Sequence, residues 1–110
     1  MDVACTVTEE LLNEIVERIE AALNPEAIIL FGSRAGGQHR ADSDIDLLVI
    51  THALAGQSVF ARHRAVSDLF PDRRFALDVL VRTRAEVEQM LEQGSPFFKR
   101  ILTQGKVLYG

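Results

Sequence analysis

The sequence predicts an α/β (α+β) fold in which helices pack on a β-sheet. Three short apolar runs rich in β-forming residues occupy residues 27–31, 44–50 and 75–81. Stretches with helical spacing lie before and after these runs, and turn residues separate the segments. At 110 residues the chain is long enough for one compact domain, so we expect residues 1–110 to form a single domain.

The first half of the chain is predicted to begin with a helix and to continue with two strands. Apolar residues recur at helical spacing from Thr8 to Leu23, and Asn24 and Pro25 end this helix. The strand at 27–31 stops at Gly32, and only a dozen residues separate it from the strand at 44–50. That connection leaves room for little more than one helical turn.

A less regular helical pattern follows the second strand. It covers residues 59–70 and ends at Pro71. Its exposed face is predicted to be basic and to carry Arg62, His63 and Arg64.

Two capped helices and a short strand complete the chain. Thr83 and Gly94 bound the first helix, and Ser95 and Gly105 bound the second. Residues 106–109 fit a final strand. Before it, Phe97 and its apolar neighbours crowd one helix, where they form either part of the core or a surface for a partner or a homo-oligomer. Those neighbours are Phe98, Ile101 and Leu102.

Composition and charge argue against several classes of protein. A net charge of -4 and a pI of about 5.3 do not suit general electrostatic binding to nucleic acid. Cys5 is the single cysteine, which excludes a disulfide framework and fits a reducing compartment. The sequence shows neither a membrane-length apolar run nor the pattern of a signal peptide, so we expect a cytoplasmic protein.

Three aspartates interrupt the apolar strands. Asp44 and Asp46 begin the second strand, and they point to the same face because side chains alternate along a strand. Asp78 lies within the third strand and can stand beside them. Three converging carboxylates suit Mg²⁺ or Mn²⁺, which prefer oxygen ligands. Taken singly, each acid is more commonly a strand end, an exposed edge residue or a salt-bridge partner.

A glycine-serine turn directly follows the first strand. The backbone amides and hydroxyl of Gly32 and Ser33 can face an anion such as a phosphate there. Most Gly-Ser pairs in this position are ordinary turns. The glycines at positions 32, 36 and 37 match neither a P-loop nor a dinucleotide-binding motif.

The motifs "LFGSRAGG", "SDIDLLV" and "ALDVLV" together closely resemble those of the minimal nucleotidyltransferases of the DNA polymerase beta superfamily. The resemblance extends to the C-terminal "SPFFKRILTQGKVLYG" and covers nearly the whole chain. It implies a polymerase-beta-like nucleotidyltransferase fold and a site with two Mg²⁺ ions and ATP as donor. The residues implied are Asp44, Asp46 and Asp78 for catalysis and metal binding, and Gly32, Ser33 and Arg34 for nucleotide binding.

The resemblance also restricts the topology. Gly32 at the end of the first strand must lie near Asp44 at the start of the second, so these strands should be antiparallel neighbours in a mixed sheet with the site on an open face. One position departs from the family, which usually reads Gly-Ser-Arg-Ala-Arg-Gly, because Gly36 replaces the second arginine. This removes a bidentate partner for a phosphate or a bound protein and leaves the aspartates in place.

The activity implied by the resemblance is transfer of a nucleoside monophosphate, AMP from ATP, to an acceptor hydroxyl. Because one domain leaves no second domain for the acceptor, the acceptor is expected on another molecule. Minimal nucleotidyltransferases often pair with small helical HEPN-type proteins, and several pairs act as toxin and antitoxin. The resemblance therefore implies an antitoxin that modifies its partner. Two alternatives stay open, namely a non-catalytic nucleotide-binding or scaffold subunit that neutralises its partner by contact, and a metal-free regulatory domain.

Overall fold

The computed structural model describes residues 9–32, 45–71 and 76–110. Its elements are α1 (Glu9–Leu23), β1 (Ala27–Phe31), β2 (Ile45–Ile50), α2 (Val59–Ser67), β3 (Leu77–Arg82), α3 (Arg84–Glu92), α4 (Pro96–Gln104) and β4 (Lys106–Tyr109). This order is the predicted one. In these ranges no helix has both the length and the apolar composition required to cross a membrane.

The strands form a mixed sheet in the order β3-β2-β1-β4. β1 is antiparallel to both β2 and β4, whereas β2 and β3 run parallel. Parallel neighbours need a crossover connection, and α2 lies in the connection between β2 and β3. The predicted α/β (α+β) fold and the predicted antiparallel pairing of the first two strands are therefore confirmed.

The two faces of the sheet bury different sets of apolar side chains because residues alternate along each strand. One face packs against α1 and α2; its buried residues include Ile28, Leu30, Ile45, Leu47, Val49, Val79 and Val81, with Ile15, Ile19 and Val66 from the helices. The other face packs against α3 and α4; its buried residues are Ile29, Leu48 and Ile50, with Val87, Phe98 and Ile101 from the helices. We call this second side the α3/α4 face.

Helix α2 is shorter than predicted and has a different exposed face. It ends at Ser67 rather than near residue 70, and Asp68 is its C-cap. The expectation that Arg62 belongs to an exposed basic face is wrong, since only 4% of Arg62 is exposed. His63 is half-buried, and Arg64 is the exposed member of the three.

Arg62 and His63 point towards the sheet because they contact backbone carbonyls of its edge strand, β3. β3 is an edge strand, and the backbone carbonyls on the open side of such a strand need partners. Arg62 Nη1 donates to the carbonyl of Val81 at 3.2 Å, and Nδ1 of His63 lies 3.0 Å from the carbonyl of Val79. Two basic side chains of α2 therefore cover the open edge of β3.

The first turn of α3 is held by Glu86. Thr83 accepts a hydrogen bond from the Glu86 backbone amide, and the Glu86 carboxylate accepts one from the Thr83 amide, which completes a capping box. The same carboxylate receives both Arg62 Nη1 at 2.6 Å and Nη2 at 3.0 Å. Ser95 caps α4 through the amide of Phe98. Both predicted N-caps are confirmed.

Candidate active site

Asp46 and Asp78 lie side by side on the α3/α4 face of the sheet. They are register partners on the parallel strands β2 and β3, which in any sheet run about 4.8 Å apart. Asp46 is half-buried and Asp78 is exposed. The structure thus brings together two of the three acids that the sequence predicts for the site. Asp44 lies outside the described residues.

Gly32 stands against the carboxylate of Asp46. Phe31, the last residue of β1, pairs with Asp46 across the antiparallel strands, so Gly32 follows directly beside this acid. Gly32 has a φ of 81°, and a Cβ at this position would overlap Oδ2 of Asp46. Both the backbone conformation and the available space therefore require glycine. Ser33 and Arg34, the other predicted nucleotide-binding residues, lie outside the described residues, as does Gly36.

Two carboxylates stand on neighbouring strands in this part of the face. Like charges directly opposite on adjacent strands repel, and a bound cation would relieve the repulsion. Both side chains offer carboxylate oxygens, the donor type that Mg²⁺ prefers, so they fit a divalent cation of this class. Within the three described segments no group of three or more histidine, cysteine or acidic side chains is placed to hold a metal ion. The predicted third ligand, Asp44, is not among those segments.

A pocket of about 380 Å³ opens beside Gly32. It lies between the end of β1 and helix α4, and it is lined by Phe31, Gly32, Phe97, Arg100, Ile101, Gln104 and Gly105. Arg100 and Gln104 are not among the site residues predicted from the sequence. A signal was present, because Phe97, Arg100 and Gln104 follow at intervals of three and four residues and so form one stripe of the helix.

Helix α4 divides its apolar residues between the core and the surface. Phe98 and Ile101 are buried against the sheet, as core packing predicts. Phe97 is 46% exposed and Leu102 is 37% exposed. Phe97 meets Phe31 edge to face, with ring centroids 5.8 Å apart. Of the four apolar residues of α4, two therefore belong to the core and two remain available at the surface, so neither core packing nor a partner surface describes all of them.

Two solved structures resemble this chain in both fold and sequence. A crystal structure of a candidate nucleotidyltransferase from Sulfolobus solfataricus is 32% identical, with a TM-score of 0.57, and the match covers 73% of this chain and 70% of that one. A crystal structure of a toxin-antitoxin with AMP-PNP is 25% identical, with a TM-score of 0.63, and the match covers 90% of this chain and 73% of that one. The first match supports a nucleotidyltransferase, and the second concerns a protein assembled with a partner.

A third likeness concerns the fold alone. The BolA domain of SufE1 from Arabidopsis thaliana has a TM-score of 0.57 over 74% of this chain and 99% of its own, at 22% identity. At this identity the likeness shows a shared arrangement of sheet and helices and nothing more. A search of curated protein sequences found no match.

A family profile described as Polymerase beta, Nucleotidyltransferase matches residues 13–110. This range includes the sheet, the Asp46–Asp78 pair, Gly32 and the α4 pocket. The mixed sheet, with two neighbouring aspartates beside a glycine that ends the first strand, agrees with the match. The chain belongs to the polymerase beta nucleotidyltransferase family.

Proposed function

We propose that this protein is a Mg²⁺-dependent nucleotidyltransferase that moves AMP from ATP to a hydroxyl group on a partner protein. The observation that carries the proposal is the placement of Asp46 and Asp78 as register partners next to Gly32. Family membership supports the reaction class. The similarity to a toxin-antitoxin structure with AMP-PNP supports an adenine nucleotide and a protein partner.

Asp46 and Asp78, with Asp44, would hold the divalent cations. Their carboxylates supply only oxygen ligands, and the exposure of Asp78 leaves space for water and substrate in the coordination shell. When bound, such ions lower the pKa of an attacking hydroxyl and stabilise the charge on the leaving phosphate.

The surroundings of the carboxylate pair differ on its β3 side and its β1 side, and this difference suggests where the acceptor and the ATP donor bind. Asp78 is exposed on the edge strand β3, so the acceptor approaches from that side. Gly32 lies on the opposite side of Asp46, and its lack of a side chain lets its backbone lie directly against that carboxylate, so phosphates bound at Gly32 would lie next to Asp46. The donor therefore lies on the β1 side of the site and the acceptor on the β3 side.

The proposed reaction is a displacement at the α-phosphorus of ATP. The acceptor oxygen bonds to that phosphorus while the bond to the bridging oxygen of the β-phosphate breaks, and pyrophosphate leaves. The hydroxyl proton passes to Asp78 or to water. Asp78 therefore acts as a base or as a metal ligand only, and both roles require its carboxylate.

The partner that we propose is a small helical HEPN-type protein, with this chain as the antitoxin. In such a pair the acceptor is a tyrosine hydroxyl of the toxin. The toxin-antitoxin neighbour supports the general class of partner.

The test is transfer of label from α-labelled ATP to a co-expressed HEPN-type protein in the presence of Mg²⁺. We expect the partner to gain the mass of one AMP, and Asp46→Asn to abolish the gain. Asp68→Asn, an exposed acid at the end of α2, is the matched control and should transfer normally. Equal transfer by Asp46→Asn and the parent would show that the assignment is wrong. Neutralisation of the toxin without any mass change would instead support a non-catalytic antitoxin.

A further inference from the structure

The pocket beside Gly32 has the size and the walls of a small-molecule site. Its volume of about 380 Å³ falls within the usual range of roughly 300–1,000 Å³ for such pockets. Gly105, one of the lining residues, packs closely against β1, since a Cβ there would meet the side chain of Ile29 and the carbonyl of Leu30. β1 and the C-terminal end of α4 are therefore in direct contact beside the pocket.

The aromatic residues of the pocket form a corner. The rings of Phe31 and Phe97 meet at 87°, and nearly half of Phe97 remains exposed. A flat ring system can lie on the face of one phenyl group while its edge meets the other. Ile101 adds an aliphatic surface beside them. These walls suit a planar aromatic group better than a phosphate.

Two polar side chains complete the lining. Gln104 carries an amide that can donate and accept hydrogen bonds, which matches the mixed donors and acceptors on the edge of a purine. Arg100 is an exposed guanidinium on the same stripe of α4 and can reach sugar or phosphate oxygens. The pocket thus combines stacking surface with hydrogen-bonding groups, as a nucleoside requires.

The position of the pocket connects it to the carboxylate pair. Phe31 lines the pocket and is also the register partner of Asp46, and Gly32 borders both. A nucleoside in the pocket would therefore carry its phosphates past Gly32 towards Asp46. Asp78, where the acceptor is proposed to approach, lies on the far side of Asp46. This order favours the donor over a side chain of the acceptor protein as the occupant.

We infer that the pocket between β1 and α4 binds the base and ribose of the donor nucleotide, with Phe97 as the stacking residue and Gln104 as the residue that reads a purine edge. The inference rests on the proposed function, because it names the subsite for the same donor. It assigns the selection of the base to α4 and places the phosphates on the side of the pocket where Gly32 lies.

The test compares ATP with inorganic triphosphate by titration calorimetry in the presence of Mg²⁺. Loss of base stacking weakens ATP binding, so Phe97→Ala should bind ATP about 10-fold more weakly and triphosphate within about 2-fold of the parent. Gln104→Leu should lower the preference for ATP over a pyrimidine nucleotide, CTP. Leu102→Ala, which also truncates an exposed apolar residue of α4, is the control and should bind both ligands normally.

Phe97→Leu guards against a folding artefact, since it keeps apolar volume and removes the aromatic ring. It should reproduce most of the loss of ATP affinity while melting near the parent temperature. Unchanged ATP binding by both Phe97 variants, in a parent that binds ATP and transfers AMP, would overturn the pocket assignment alone. A parent that binds neither ATP nor triphosphate would overturn the proposed function as well. Loss of toxin binding with normal ATP binding would assign the pocket to the partner and overturn the inference.

Discussion

Arg62 and Glu86 join the open edge of the sheet to the first turn of α3 through a two-pronged ion pair. Arg62 Nη1 and Nη2 each donate to one oxygen of the Glu86 carboxylate. The remaining guanidinium bonds go to the backbone carbonyls of Ala55, Gln57 and Val81. One buried side chain therefore holds the loop before α2, the end of β3 and the start of α3 together.

We predict that Arg62→Ala destabilises the fold by about 2–3 kcal/mol, because a partly buried ion pair is broken and the carbonyls of Ala55 and Gln57 lose the donor that Arg62 supplies. Arg64→Ala is the control, since Arg64 is the exposed neighbour and such a change should stay within about 0.5 kcal/mol. Urea unfolding of both variants at pH 7 provides the measurement. Similar midpoints for the two variants would contradict the structural role of Arg62.

The same ion pair predicts a pH dependence of stability. The hydrogen bond from Arg62, helped by the Thr83 amide and opposed by burial, lowers the pKa of Glu86 from 4.5 to about 2. Because the folded pKa is the lower one, the stabilisation is complete above about pH 4.5 and is lost as the pH falls towards 2. The carboxylate is 39% exposed, so solvent screening limits the effect to about 1–2 kcal/mol.

Glu86→Gln isolates this contribution, because glutamine can keep the capping box but cannot ionise. Its unfolding free energy should fall less steeply between pH 5 and pH 3 than that of the parent. Parallel curves for the two proteins would show that Glu86 does not contribute to acid sensitivity.

Gly32 and Gly94 allow the effect of space to be separated from that of backbone conformation. They have nearly the same positive φ, 81° and 80°, but a Cβ at Gly94 would meet nothing within 4 Å, whereas one at Gly32 would overlap Asp46. Gly94→Ala should cost about 1–2 kcal/mol from strain alone. Gly32→Ala should cost more and should also weaken Mg²⁺-ATP binding, which Gly94→Ala leaves intact. Calorimetric melting and ATP titration of the two variants would check this, and equal losses in both would rule out the contact.

The Asp46–Asp78 pair predicts that Asp78→Asn affects stability differently in the absence and in the presence of Mg²⁺. In EDTA, Asp78→Asn should be as stable as the parent or more stable by about 0.5 kcal/mol, since it removes a like-charge pair. With Mg²⁺, the parent should gain melting temperature and Asp78→Asn should not, because the variant lacks a ligand. Asp68→Asn should show the same gain as the parent. A gain that persists in Asp78→Asn would place the cation elsewhere.

Local signals in the sequence were sufficient to predict most of the fold. β1 and β4 have the predicted bounds, and the caps Thr83 and Ser95 act as predicted. Such features depend on a few neighbouring residues, which is why short patterns reveal them. The lateral placement of Asp46 and Asp78 required more, because it depends on β2 and β3 being parallel neighbours.

Long-range contacts account for what the sequence could not predict. The burial of Arg62 follows from the position of β3 at the edge of the sheet, which no helical pattern within α2 records. The pocket likewise depends on how α4 crosses the end of β1. Helical periodicity places Phe97 and Gln104 on one stripe of α4, but it cannot predict that this stripe lines a pocket beside β1.

The pairing of β1 with β4 has a consequence for the order of folding. β1 lies near the beginning of the described chain and β4 at its end, whereas β2 and β3 are joined by a much shorter crossover. Closing a longer loop costs more chain entropy, so we expect β2 and β3 to pair before β1 and β4 do. Pulsed hydrogen exchange during refolding should then protect β2 amides before those of β4. The two aspartates would then come together before β4, and with it the end of α4, is docked on β1, so the residues proposed to bind a cation would assemble before those proposed to bind the base.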